Sequence, residues 1–304
     1  MSKNLALYAA AILIWGSTWY AINFQLGVVD PALSISYRFA LAAAMLMAWL
    51  AVRGERLMPP PHAWRWVALT GVFTFSLNYL LVYMATGHLS SGLVAVGGSA
   101  LSLMNILNAR LFLKQPVRGD VLAGGVLGVA GVLLLFLPEF ELRGLAGAAG
   151  LGFAYIMLSN YSASLGNMAV SKARGQGVPL LPATAWGMII GSALMAGVAV
   201  LRGAELRFEP TAAYVGSLVY LALFGSVAAF LSYFTLIGRI GPDRAGYVAV
   251  MTPVLALVIS TLFEDFHWTP LGALGLALAV GGNLLVMTPP SIAARFRRAP
   301  APAE

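Results

Sequence analysis

The sequence contains no cysteine, so disulfides, thiolate metal sites and cysteine nucleophiles are excluded outright. Charge is scarce as well. Only 10% of the 304 residues are Asp, Glu, Lys or Arg, against roughly 25% in an ordinary soluble domain. A water-facing surface cannot be built from so few charges over so long a chain. No Asp or Glu falls deep inside any of the long apolar runs, so a buried carboxylate relay for protons is missing. The phosphate-cradling pattern Gly-x-x-x-x-Gly-Lys-Ser/Thr is absent too, which excludes ATP as a fuel. His62, His88 and His267 lack metal-ligand spacing. No metal and no other cofactor is expected.

What the chain has is apolar residue, at 60% of the total. Lipid must be the solvent for most of it. A hydrocarbon core of ~30 Å needs about 20 mostly apolar residues as helix, and backbone groups there must bond within the segment. The spacing predicts spans at 5–26, 32–52, 64–86, 91–113, 121–138, 145–171, 181–201, 213–236, 245–263 and 271–288. The first run is longer than the ~7–15 residues of a signal peptide core, so it is read as a retained span. The fold class is an all-α integral membrane protein of ten transmembrane helices.

The net charge of +7 does not point to nucleic acid, because nearly all the basic residues sit in short gaps between apolar runs and no basic helix or aromatic RNA-binding pattern appears. Sorted by gap, fourteen of the eighteen Lys and Arg fall on one side and three (Arg143, Arg202, Arg207) on the other, with Arg38 inside a span. By the positive-inside rule the first side, with both termini, is cytoplasmic. The expected location is a bacterial-type inner membrane.

At an offset of 154 residues the chain matches itself without gaps: 12 of 36 positions are identical between Ala68–Leu103 and Ala222–Leu257, against about four from composition. The matches include Gly71/Gly225, Tyr79/Tyr233 and Val94-Ala95-Val96 against Val248-Ala249-Val250. Five spans per half is an odd number, so the second half enters the membrane upside down. Inverted repeats of this kind enclose a substrate near the midplane and rock between two access states. The expected units are 1–143, its inverted counterpart 144–288, and a disordered cytoplasmic tail 289–304.

Gly241-Pro242, Arg244-Ala245, Pro253-Val254, Phe263-Glu264, Gly272 and Gly281 follow one another in the second half, and Trp15-Gly16-Ser17 and Tyr37-Arg38-Phe39 open the first. In order and spacing these resemble the EamA-type repeat of the drug/metabolite transporter superfamily, over essentially residues 5–288. Within it the chain is most similar to the YddG-type exporters, which are associated with aromatic amino acids and related metabolites. Gln115 departs from the pattern, since the family usually has Glu there, whereas Glu264 retains it in the second half.

Polar side chains at span depth usually face the bundle interior or a water-filled cavity. On the sixth span Asn160, Ser164, Asn167 and Ser171 form one helical face with Tyr161 beside them; they line the route or tie helices together. On the first span Trp15, Ser17, Thr18 and Trp19 either stack a ring-bearing ligand or pack. Asn78, Tyr79 and Tyr83 on the third are answered by Ser232 and Tyr233 on the eighth. Ser99, Trp186 and Tyr247 complete the candidate substrate-binding set. Pro253 is expected to break its helix and expose carbonyls. Arg38 attracts a substrate carboxylate, or else snorkels to the interface or pairs with Asp30 or Glu264; the second reading is the favoured one.

The leading expectation is a non-enzymatic carrier exporting small organic solutes, chiefly amino acids with aromatic or apolar side chains, without ion coupling. The rivals are an exporter of other metabolites or cationic drugs, with or without proton coupling, and a non-transporting or channel-like membrane protein. Its expected partners are the small-molecule substrate and membrane lipid, with no nucleic acid. The oligomeric state is open, a monomer being sufficient.

Overall fold

The computed structural model describes residues 3–240 and 247–287. The turn at Gly241-Pro242-Asp243, the expected tail 289–304 and the side chain of Tyr247 lie outside the described residues.

Among the described residues the structure is helical, with no strand. Its long helices are α1 (Lys3–Asn23), α2 (Pro31–Val52), α3 (Pro61–Thr86), α4 (Ser91–Leu113), α5 (Gly119–Arg143), α6 (Ala148–Gly175), α7 (Leu180–Leu201), α8 (212–240), α9 (Tyr247–Phe263) and α10 (Pro270–Met287). Eight of them are long and apolar enough to cross a membrane; α9 is apolar but shorter, and α6 is long enough but carries the Ser/Asn face. Boundaries follow local chemistry. Asp30 caps α2 by accepting from the Ala32 amide at 2.8 Å, with Pro31 preset as the first helical residue. Helix α5 runs past Pro138 as far as Arg143, where Gly144 at φ +78° ends it. A proline in the last turns removes one hydrogen bond without stopping the helix.

Packing joins the two halves of the chain throughout. Helix α5 lies on α10, and α2 lies on α7. Helix α1 packs on α8 and α9, and α6 packs on α3 and α4. The α5–α10 seam is the closest approach. A Cβ on Gly131 would stand 2.4 Å from the Ala279 amide, and one on Gly282 would stand 2.4 Å from the Gly124 carbonyl. Gly124 thus faces Gly282 while Gly131 faces Gly275 and Ala279, so the two helices run antiparallel. Lipid offers no hydrophobic drive between helices, and such contact depends on small residues that let backbones touch. Gly191 plays the same part on α7, against the backbone of Phe75. Between α2 and α7, Ser192 donates to the Ser36 carbonyl at 2.9 Å.

Three helices depart from α geometry. Helix α3 widens into a π segment at Phe73–Leu77, α8 does so at Leu221–Ala228, and α4 tightens into a 3-10 turn at Gly98–Ala100. Under the repeat offset the two π segments overlap, Phe73 and Thr74 answering Val227 and Ala228. Helix α9 was expected to break at Pro253; instead it continues through it. What proline does there is subtler. It supplies no amide to the carbonyl four residues earlier, that of Ala249.

Candidate functional site

The helices from both halves surround a cavity of ≈ 380 Å³, within the ~300–1,000 Å³ of small-molecule sites. Its wall draws Trp15, Thr18 and Trp19 from α1, Arg38 from α2, and Asn78 and Tyr79 from α3. Gly98, Ser99, Ser102 and Asn105 come from α4, and Ser159 and Asn160 from α6. Phe230 of α8, Ala249, Thr252 and Pro253 of α9, and Asn283 of α10 complete its polar and aromatic lining. No Asp or Glu is among the described lining residues.

The irregular backbone sits where polar side chains need it. Trp15 donates Nε1–H to the Gly225 carbonyl in the π segment of α8, at 3.2 Å. Ser162 of α6 donates to the Phe73 carbonyl in the π segment of α3, at 2.7 Å. Asn160 donates to the carbonyl of Gly97, just before the 3-10 turn, at 2.9 Å. Each of these carbonyls accepts a side-chain donor from a neighbouring helix, that of Phe73 in addition to the Asn78 amide. Ser159 donates to Asn78 Oδ1 at 2.7 Å, which holds that amide at the cavity wall.

Of the residues singled out in the sequence, Trp15, Thr18, Trp19, Arg38, Asn78, Tyr79, Ser99 and Asn160 meet at this cavity. Others lie elsewhere. Ser17 bonds the Tyr220 hydroxyl at 2.6 Å and its own helix, tying α1 to α8. Tyr83 is wholly buried behind the wall and does not line the cavity itself. Tyr161 is 48% exposed and faces outward, because one helical step from Asn160 turns it about 100° away. Ser164 accepts from Asn108 at 2.9 Å and Asn167 donates to Asn105 at 3.2 Å, so the lower part of the α6 stripe ties helices. Trp186 donates to the Leu57 carbonyl and meets Trp64 edge-on at 5.0 Å, in a separate cluster near one end of the bundle. Tyr233 packs behind Trp15, ring centroids 5.3 Å apart, whereas its repeat partner Tyr79 faces the cavity. Sequence reasoning passed over Ser159, Phe230, Thr252 and Asn283. Asn283, a lone amide in an apolar span, carried a usable signal.

Arg38 does not snorkel. It is 2% exposed, and its guanidinium stacks over the rings of Tyr79 and Phe39, 4.7 and 5.3 Å from their centroids. Its Nε and Nη1 have no acceptor in hydrogen-bond geometry. Neither expected acid pairs with it: Asp30 lies 3.9 Å from Arg202, and Glu264 is engaged elsewhere. An arginine at mid-helix in lipid costs about 2.5–3.5 kcal/mol on insertion scales. The two ring contacts together offset roughly 1–4 kcal/mol, comparable with that cost, but they supply no hydrogen-bond acceptor for Nε and Nη1.

Glu264 follows the end of α9. Its carboxylate accepts from the Asn23 side chain at the end of α1, and from both the amide (3.1 Å) and the hydroxyl (2.6 Å) of Ser91 at the start of α4. One carboxylate therefore clasps three helix ends.

The model of the EamA-like transporter family matches this chain twice, over residues 3–137 and 150–288. The chain belongs to that family. Its relatives include Protein PecM of Dickeya dadantii, 28% identical over 86% of this chain and 84% of that protein. The uncharacterized inner membrane transporter YedA of Escherichia coli is 27% identical, covering 90% and 89%. A probable amino-acid metabolite efflux pump of Escherichia coli is 24% identical, covering 92% and 93%. A crystal structure superposes with a TM-score of 0.68 at 20% identity, covering 98% of this chain and all of that one, a likeness of fold. The chain is accordingly a multi-pass membrane protein of a transporter family, with a small-molecule substrate.

Proposed function

We propose that this EamA-like transporter exports amino acids with aromatic or apolar side chains across the inner membrane, by alternating access and down the solute's own gradient. The observation that carries the reading is the cavity between the halves, walled by Trp15, Trp19, Tyr79 and Phe230 with Asn78, Asn160 and Thr252 among them. Aromatic rings offer flat apolar faces to a side chain, and amides and hydroxyls match a polar backbone. The likeness to a probable amino-acid metabolite efflux pump supports the same class.

In this reading all ten helices span the membrane, with both termini cytoplasmic, as two inverted units, 1–143 and 144–288. The double family match supports two units. Helix pairing supports their symmetry: exchanging the halves turns α1–α8 and α1–α9 into α6–α3 and α6–α4, and leaves α5–α10 and α2–α7 as they are. Antiparallel α5 and α10, equivalent helices of the two units, are what inversion requires. The Glu264 clasp then lies at the outer face and holds the cavity closed on that side. With no acid among the cavity's described lining residues, a proton has no carboxylate to ride on.

Uptake of labelled phenylalanine, threonine and methyl viologen into proteoliposomes tests the proposal. Preferred, preload-accelerated phenylalanine entry is expected, since only a carrier shows such exchange. Preference for methyl viologen, or flux indifferent to preloading, overturns it.

A further inference from the structure

Arg38 is a cation at span depth, stacked on Tyr79 and Phe39, in the wall of a cavity whose described lining holds no acid. It is 98% buried by exposure, and two of its nitrogens find no acceptor in the protein. Tyr83 adjoins it, its hydroxyl close enough to interact with the guanidinium though not in hydrogen-bond geometry, and a neutral phenol does not cancel a charge. The two rings, whose centroids are 4.8 Å apart, lie together on one side of the guanidinium, so they supply no acceptor and leave its N–H groups to an anion. Planar, forked N–H groups match a carboxylate in two-point fashion.

We propose that Arg38 is the anion-binding residue of the cavity, so that cargo must carry a carboxylate beside its apolar body and amines without one are refused. The inference deepens the carrier reading and rests on it for the word cargo. Ala249, a residue of the same wall, has a carbonyl to which Pro253 offers no helical amide, an acceptor of the kind an ammonium group takes. A zwitterion satisfies both; a bare carboxylate satisfies the more demanding of the two.

Three probes separate these features: phenylalanine, 3-phenylpropionate (carboxylate only) and phenethylamine (ammonium only). Binding is read as the rise in melting temperature of the purified full-length protein with probe concentration. Both acids are expected to stabilise the wild type and phenethylamine is not. Arg38→Gln should raise the half-saturating concentration of the acids by about 10- to 100-fold, and Arg38→Lys by less. The wild-type panel decides the matter even if Arg38→Gln fails to fold. Phenethylamine binding as well as 3-phenylpropionate, no binding of any probe, or unchanged acid binding in Arg38→Gln overturns the anchor. Acid binding without flux in proteoliposomes leaves the anchor standing and removes the carrier reading.

Discussion

The clasp at Glu264 makes the access cycle open to a direct test. Its carboxylate receives one donor from α1 and two from α4, so Glu264→Ala unties α9 from both. A hydrogen bond to a charged group contributes about 1.5–3 kcal/mol when buried. Glu264 is half-buried, and water can solvate the freed donors, so the whole clasp contributes roughly 2 kcal/mol. At 1.4 kcal/mol per factor of ten, that favours outer opening by roughly 30-fold. Glu264→Gln keeps one carbonyl oxygen as acceptor and should give a smaller shift. The native chain has no cysteine, so Ser99→Cys places a single thiol in the cavity wall. Its labelling rate by a membrane-impermeant maleimide from the outside is the readout. Faster outside labelling in Glu264→Ala, with folding unchanged, is expected. An unchanged rate would refute the clasp as an outer gate.

Other consequences follow from the same geometry. Asn160→Leu removes the donor to the Gly97 carbonyl at the cavity wall, and should cut flux per molecule more than protein yield; a fall in yield with normal flux would mean the residue only packs helices. Gly282→Ala drives a methyl into the Gly124 and Gly128 backbone and should lower stability by about 1–3 kcal/mol, measured as a lower melting temperature in detergent. Gly197→Ala, with open space around it, should melt no lower, since alanine is the better helix former. Solute flux in proteoliposomes should proceed without stoichiometric acidification; robust coupled acidification would contradict uncoupled transport.

Much of the fold was legible because lipid imposes strict rules on a chain. Runs near 20 apolar residues, and the prolines and glycines at Asp30-Pro31 and Gly175-Gln176-Gly177 that separate them, follow from the cost of burying polar groups. The repeat was visible since Gly71/Gly225 and Tyr79/Tyr233 kept their spacing. The cavity was legible only in part. Helical periodicity put Asn160 and Ser164 on one face, but the facing helix decides what that face meets. Asn160 reached the cavity, while Ser164 met Asn108 on α4.

Composition, hydropathy and residue spacing by themselves determined a membrane-embedded helical protein, its approximate helix positions and the polar residues from which a site could be drawn. Tertiary structure alone decided that Tyr79 faces the cavity while Tyr233 backs Trp15, and that Arg38 lies stacked and unpaired rather than at the interface. The physical reason is range. Backbone hydrogen bonding is settled within one segment, whereas the partner of a side chain is set by residues as far as 241 positions away, as for Asn23 and Glu264.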